Sequence, residues 1–152
     1  MRLTRFTDNA LRALLYLALA PDDVPTVGVV ARKMGMSEDH LLKVVQRLSQ
    51  LGYVKTIRGR NGGMRLAQPA ESIVVGEVIR KTEDNMALVP CFDPTDAICP
   101  VAPACGLAPA LDEALKAFLT TLDRYTVADL IAKRRELMKL VDMKDPEMAA
   151  AS

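Results

Sequence analysis

Three cysteines are the residues of this chain best suited to bind or transform something. Cys91, Cys99 and Cys105 are spaced C-x7-C-x5-C within residues 84–109. The same stretch holds Pro90, Pro94, Pro100, Pro103 and Pro109, five of the nine prolines. Prolines at that density exclude a continuous helix or a central strand. With few large apolar side chains, the segment offsets little of the backbone entropy lost on ordering. Three thiolates converging on a metal would pin it. Iron–sulfur clusters take cysteine ligands, although this spacing is looser than that of ferredoxins. Structural zinc prefers four ligands with a close C-x2-4-C pair, which is absent. Three idle thiols are the plain alternative. A four-iron cubane would also need a fourth ligand. The loop offers Asp93 and Asp96 and no His, and Asp8 near the N-terminus is another candidate. The simpler role of Asp8 is to serve a helix start.

Positioning such a loop requires folded elements on both sides. The chain has 152 residues, half of them apolar, enough for one compact core. Leu11, Leu14, Leu15 and Ala18 recur at helical spacing and predict a first helix over 7–20, capped by Thr7 or Asp8. Thr26 caps a short helix ending at Met34, Gly35 supplies a left-handed turn, and Ser37 caps a helix to about Leu51. Gly52 stops that helix. Two strands, 53–58 and 64–67, flank the Gly-rich tip 59–63. A short helix begins at Val75. After the cysteines, Leu111, Leu115, Phe118, Leu122 and Tyr125 alternate steps of four and three, the seam of a long helix from Pro109. Thr126 then caps a helix from Val127 to about Val141.

Helix, Gly turn, Ser-capped helix and hairpin is the order of a winged helix-turn-helix. The expected fold is therefore mainly α with a small β-wing and a long dimerisation helix. Residues 1–82 form the DNA-binding domain, 83–108 the cluster loop, 109–145 the dimerisation and C-terminal helices, and 146–152 a tail. Leu41, Val44, Val45 and Leu48 make the buried stripe of the second helix of the motif. Ser37, Asp39, His40, Lys43, Gln46, Arg47 and Gln50 face outward. Ser37, His40 and Lys43 are placed to approach bases, with Gln46 on the same face and Arg47 toward phosphate. Arg58 and Arg60, with Asn61, Gly62 and Gly63 at the tip, can enter a narrow minor groove.

Charge agrees with that placement. Residues 1–66 hold 11 Lys and Arg against five Asp and Glu, a net of +6, and residues 67–152 have a net of −5. A basic first half suits a polyanion, so double-stranded DNA is the expected partner. The stretch 10–20 is apolar, but Asp8 and Arg12 interrupt it where a signal peptide would be clean. No run reaches the length of a membrane span, and an odd cysteine count argues against a secreted disulfide framework. A cytoplasmic protein is expected. An enzyme is not, because the single His lies on the recognition helix and no nucleophile–base pair appears. Gly59–Gly63 also lacks the Lys-Ser/Thr of a phosphate loop.

Several separated motifs together resemble a known family. They are Met1-Arg2-Leu3-Thr4 with Phe6-Thr7-Asp8, the run from Gly52-Tyr53-Val54 to Arg58-Gly59-Arg60-Asn61-Gly62-Gly63-Met64-Arg65-Leu66, the cysteine loop with Pro103-Ala104-Cys105, and Phe118-Leu119 through Leu130. Over about residues 1–140 they resemble the NsrR-type nitric-oxide-responsive repressors, of the same superfamily as the iron–sulfur regulator IscR. The resemblance implies a homodimer crossing at the long helix and an operator of two-fold symmetry. It implies one cluster per subunit on Cys91, Cys99 and Cys105, 4Fe-4S in preference to 2Fe-2S, completed by Asp8 of the partner subunit. It also implies derepression by nitric oxide. Two features depart from relatives. The gap between the first two cysteines is longer than in some, and Gly106-Leu107-Ala108 replaces the His that follows the third cysteine in IscR-like proteins. The missing His favours the NsrR-like branch. An IscR-like cluster-status or redox regulator, or a winged-helix protein with zinc or no metal, are the alternatives.

Overall fold

The computed structural model describes residues 2–60, 62–93 and 99–143. Asn61, Asp96 and the tail 146–152 lie outside them. Helix α1, Arg5–Leu19, is the centre of the molecule: α2, α3, α4, β2, α6 and α7 all touch it. Ala10, Ala13, Leu14, Leu17 and Ala18 are buried along it, and the small alanines let neighbouring helices come close. The helix starts two residues earlier than its periodicity predicts. Thr4 caps it, its hydroxyl accepting the Thr7 N–H at 3.2 Å, so neither Thr7 nor Asp8 is the cap. Thr7 is instead buried.

Helix α2, Val27–Met34, is capped by Thr26. Gly35 follows at φ 63°, a left-handed conformation that a Cβ disfavours. Ser37 then caps α3, Glu38–Gln50, accepting from the His40 N–H. Leu41, Val44, Val45 and Leu48 of α3 are all buried, and each such side chain contributes about 1.5–3 kcal/mol of burial free energy.

Strands β1, Val54–Ile57, and β2, Gly63–Leu66, pair antiparallel, with Val54 opposite Leu66 and Ile57 opposite Gly63. The free edge of β2 is tied down too, because the Met64 N–H donates to the Pro25 carbonyl at 2.9 Å. At Gly63 a Cβ would stand 2.4 Å from the Val24 oxygen, so no larger residue fits without shifting backbone.

Helix α4, Val75–Thr82, buries Val75, Val78 and Ile79. The cysteine segment follows, with two short 3-10 turns, Pro90–Phe92 and Ala102–Ala104. Helix α5, Leu107–Leu122, begins before Pro109 rather than at it. The N–H groups of a first helical turn have no intrahelical partner, so a proline costs nothing there. No residue of α5 is buried. Tyr125 falls beyond its end and belongs to a different contact, its carbonyl accepting the Val75 N–H at 2.9 Å.

The last helix is not continuous as its pattern suggests. It divides into α6, Val127–Leu130, and α7, Arg134–Leu140. Between them Ile131 and Ala132 donate back three residues instead of four. Arg134 Nε reaches the Leu19 carbonyl at the end of α1, 2.9 Å away, and Lys33 of α2 pairs with Asp142 at 2.6 Å. The C-terminal segment thus folds back onto the helix-turn-helix. Among the described residues no helix is long and apolar enough to cross a membrane.

Candidate nucleic-acid interface and cysteine loop

The outer face of α3 carries Ser37, Lys43, Gln46 and Arg47, all exposed. Two expected members of this face are held from behind. His40 is half-buried: Asn9 Nδ2 of α1 lies 3.0 Å from its Nδ1, and the Phe6 ring meets it edge-on at 6.0 Å between centroids. That geometry suits the tautomer in which Nδ1 accepts from the Asn9 amide. His40 therefore joins α3 to α1 through its Nδ1 and ring edge. The Arg47 guanidinium donates to the Lys81 carbonyl of α4 at 3.3 Å. Leu42, off the buried stripe and not among the residues expected on this face, is 50% exposed beside Lys43 and Gln46.

Arg58 and Arg60 are exposed at the hairpin tip, where Gly59 takes φ 109°. Gly62 and Gly63 have steric duties. A Cβ at Gly62 would lie 2.3 Å from the Ile57 oxygen, across the tight turn.

Asp8 is exposed, on the first turn of α1, and pairs with Arg12 at 3.7 Å. Arg12 also donates to the Met34 carbonyl, just before the Gly35 turn. Arg5, Asp8, Arg12, Ser37 and His40 line one cavity of about 460 Å³ between α1 and the start of α3. Asp8 is thus a neighbour of the recognition helix as well as of the N-terminus.

The three cysteines are free thiols, each half-buried. Cys91 sits in the first 3-10 turn and Cys105 ends the second. The Cys99 carbonyl accepts the Ala102 N–H at 3.1 Å. Asp93 accepts from the Asn85 amide at 2.9 Å. As a donor set, part-exposed thiols with a carboxylate suit cluster iron. Among the described residues no three His, Cys, Asp or Glu are grouped to hold a metal ion.

Two ties link the elements that flank this segment. Glu83, directly after α4, binds Thr4 at the start of α1. Arg80 of α4 makes a bidentate pair with Asp123 after α5, at 2.7 and 2.6 Å, which holds the Asp123 carboxyl below its ordinary pKa.

Comparison with known proteins agrees with this architecture. A family model described as Rrf2, iron-dependent transcriptional regulator, matches residues 3–133. The HTH-type transcriptional regulator NsrR of Bacillus subtilis is 47% identical over 146 residues, 95% of this chain and all of that protein. Its namesake from Geobacillus kaustophilus is 48% identical over 142 residues, covering 93% and 97% of the two chains. Among solved structures, T. potens IscR superposes with a TM-score of 0.72 over 98% of this chain and 96% of its own, at 22% identity. The global cysteine regulator CymR of B. subtilis gives 0.67 over 88% and 98%, at 25% identity. These relatives are regulators and not enzymes. With its winged helix-turn-helix intact, the chain belongs to the Rrf2 family of transcriptional regulators and is similar over nearly its whole length to the NsrR members.

Proposed function

We propose that this protein is a homodimeric repressor that holds a two-fold symmetric operator and releases it in response to nitric oxide. The cluster-binding residues in this reading are Cys91, Cys99 and Cys105, with Asp8 of the partner subunit as fourth ligand. When bound, an iron–sulfur cluster, 4Fe-4S in preference to 2Fe-2S, supplies irons that react with nitric oxide. A carboxylate is a harder, weaker partner for such iron than a thiolate, so the Asp8 link is the labile one.

The observation that carries the reading is the position of Asp8. It shares a cavity wall with Ser37 and His40 at the start of α3, and its partner Arg12 grips the Met34 carbonyl before the turn. Engaging Asp8 elsewhere frees Arg12; releasing Asp8 restores the pair. An exposed pair of this length is worth less than about 1 kcal/mol, so it does not oppose ligation. Dimerisation is supported by α5, sixteen residues long with none buried and Leu107 62% exposed. A helix that apolar needs a second apolar face, and a second copy offers one. In this reading the exposed Lys43, Gln46, Arg58 and Arg60 supply the DNA-facing surface.

Anaerobic purification, with iron and sulfide counted, tests the cofactor. Operator affinity of apo and holo protein at one salt concentration then tests the switch. A coupling of about 1–3 kcal/mol, roughly 5- to 150-fold, is expected. Equal affinities would overturn the switch, and a colourless protein would favour the zinc or metal-free reading. Asp8→Ala should keep a coloured protein with an altered nitric-oxide response; an unaltered response removes Asp8 from the mechanism.

A further inference from the structure

We propose that Leu42 is a specificity-determining residue that reads the methyl group of a thymine in the major groove. The inference deepens the DNA-binding reading above and rests on it. Every other apolar residue in the body of α3 is buried: Leu41, Val44, Val45 and Leu48 all face the core. Leu42 does not, being 50% exposed. It lies off the buried stripe, at its flank beside Val45, with half of its side chain open to solvent. It stands in a shallow groove with Val27 and Val45 as floor and Lys43, Gln46 and Gln50 as rim.

That arrangement of one apolar side chain among donors and acceptors matches one feature of a base pair. In the major groove only thymine presents a methyl group, next to its O4 acceptor. Lys43, adjacent to Leu42, can donate to O4 or to phosphate. Gln46 is one turn further along the same face, and a Gln amide pairs bidentately with the N6 and N7 of adenine. The middle of α3 is therefore built for A·T pairs, with Leu42 fixing which strand carries the thymine. Burying one methyl group against it changes affinity by about fourfold per thymine.

The test uses the full-length protein, purified without oxygen, to enrich duplexes from a random-sequence pool. Each thymine of the enriched duplex is replaced in turn by deoxyuridine, which deletes only the methyl group. Wild type should lose about three- to fivefold at one thymine in each half-site. Leu42→Ala should bind more weakly and become indifferent to that replacement, while Leu42→Met, which keeps an apolar tip, should recover part of the dependence. An identical deoxyuridine profile for wild type and Leu42→Ala overturns the inference while leaving DNA binding intact. A change in oligomeric state of Leu42→Ala with no change in that profile also overturns it, making Leu42 a protein contact. Failure to enrich any sequence would overturn the DNA reading itself.

Discussion

Glu83 Oε1 accepts two hydrogen bonds from Thr4, one from its backbone N–H at 2.8 Å and one from its hydroxyl at 3.0 Å. The same hydroxyl accepts the Thr7 N–H and caps α1. The first residue after α4, where the cysteine segment begins, thereby holds the first turn of the helix that carries Asp8. Glu83→Ala should lower stability by about 1–2 kcal/mol and expose the first turn of α1 to amide exchange. Glu83→Gln keeps an acceptor oxygen and should recover part of the loss. Hydrogen exchange with mass spectrometry localises the effect; protection of residues 4–8 unchanged in Glu83→Ala would show that the contact bears no weight.

The exposed face of α5 leads to a second expectation. Phe118→Glu places a charge on that face at a residue that is not part of the buried core. Sedimentation should find a monomer at concentrations where the wild type is a dimer, with the circular dichroism of the folded chain retained. A dimer that survives the substitution would move the interface elsewhere.

Arg58 is exposed at the base of the hairpin tip. If its guanidinium enters the minor groove, Arg58→Ala should weaken operator binding more than binding to random duplex, by about tenfold. If it only meets phosphate, both affinities should fall together and the salt dependence should lose about one unit of slope. Titrations of both duplexes across a salt series separate the two cases.

Acid should act on the turn before α6. Asp129 Oδ2 accepts the Thr126 N–H at 2.7 Å and its hydroxyl at 2.8 Å, closing a capping box. The backbone hydrogen bond, then the hydroxyl, holds the Asp129 carboxyl below its ordinary pKa. A depressed folded value means that the stabilisation is complete above the unfolded-state pKa, near 4. It disappears as pH falls through the lower folded value. The melting temperature of Asp129→Asn should therefore lie below wild type at pH 6, and the gap should close as pH falls below the unfolded-state value. A gap independent of pH would contradict this assignment.

What could be read from the residues in order was whatever is decided locally. Ser37, Gly35, Gly52 and Thr26 punctuate α2 and α3 because a cap oxygen or a missing Cβ acts within three or four positions. The buried stripe of α3 follows from helical spacing alone. The boundaries that shifted were decided at a distance. Thr4 takes the cap of α1 with support from Glu83, seventy-nine positions away. The break after Leu130 has no Gly or Pro to announce it, and coincides with Arg134 reaching the Leu19 carbonyl. Site residues divided the same way. Lys43 and Arg58 stand exposed as their positions suggest, whereas His40 turns inward because Phe6 and Asn9 of another helix meet it.

The bond from the Met64 N–H to the Pro25 carbonyl, with Gly63 pressed against Val24, has a wider consequence. It ties the start of β2 to the corner that also launches α2, so that end of the hairpin is held to the helices. In the proposed reading, α3 and the hairpin of each subunit would meet a duplex as one unit. In the proposed dimer a signal has one quantity left to alter, the spread between two such units, and a site half a turn out of step should then be refused however well either half matches.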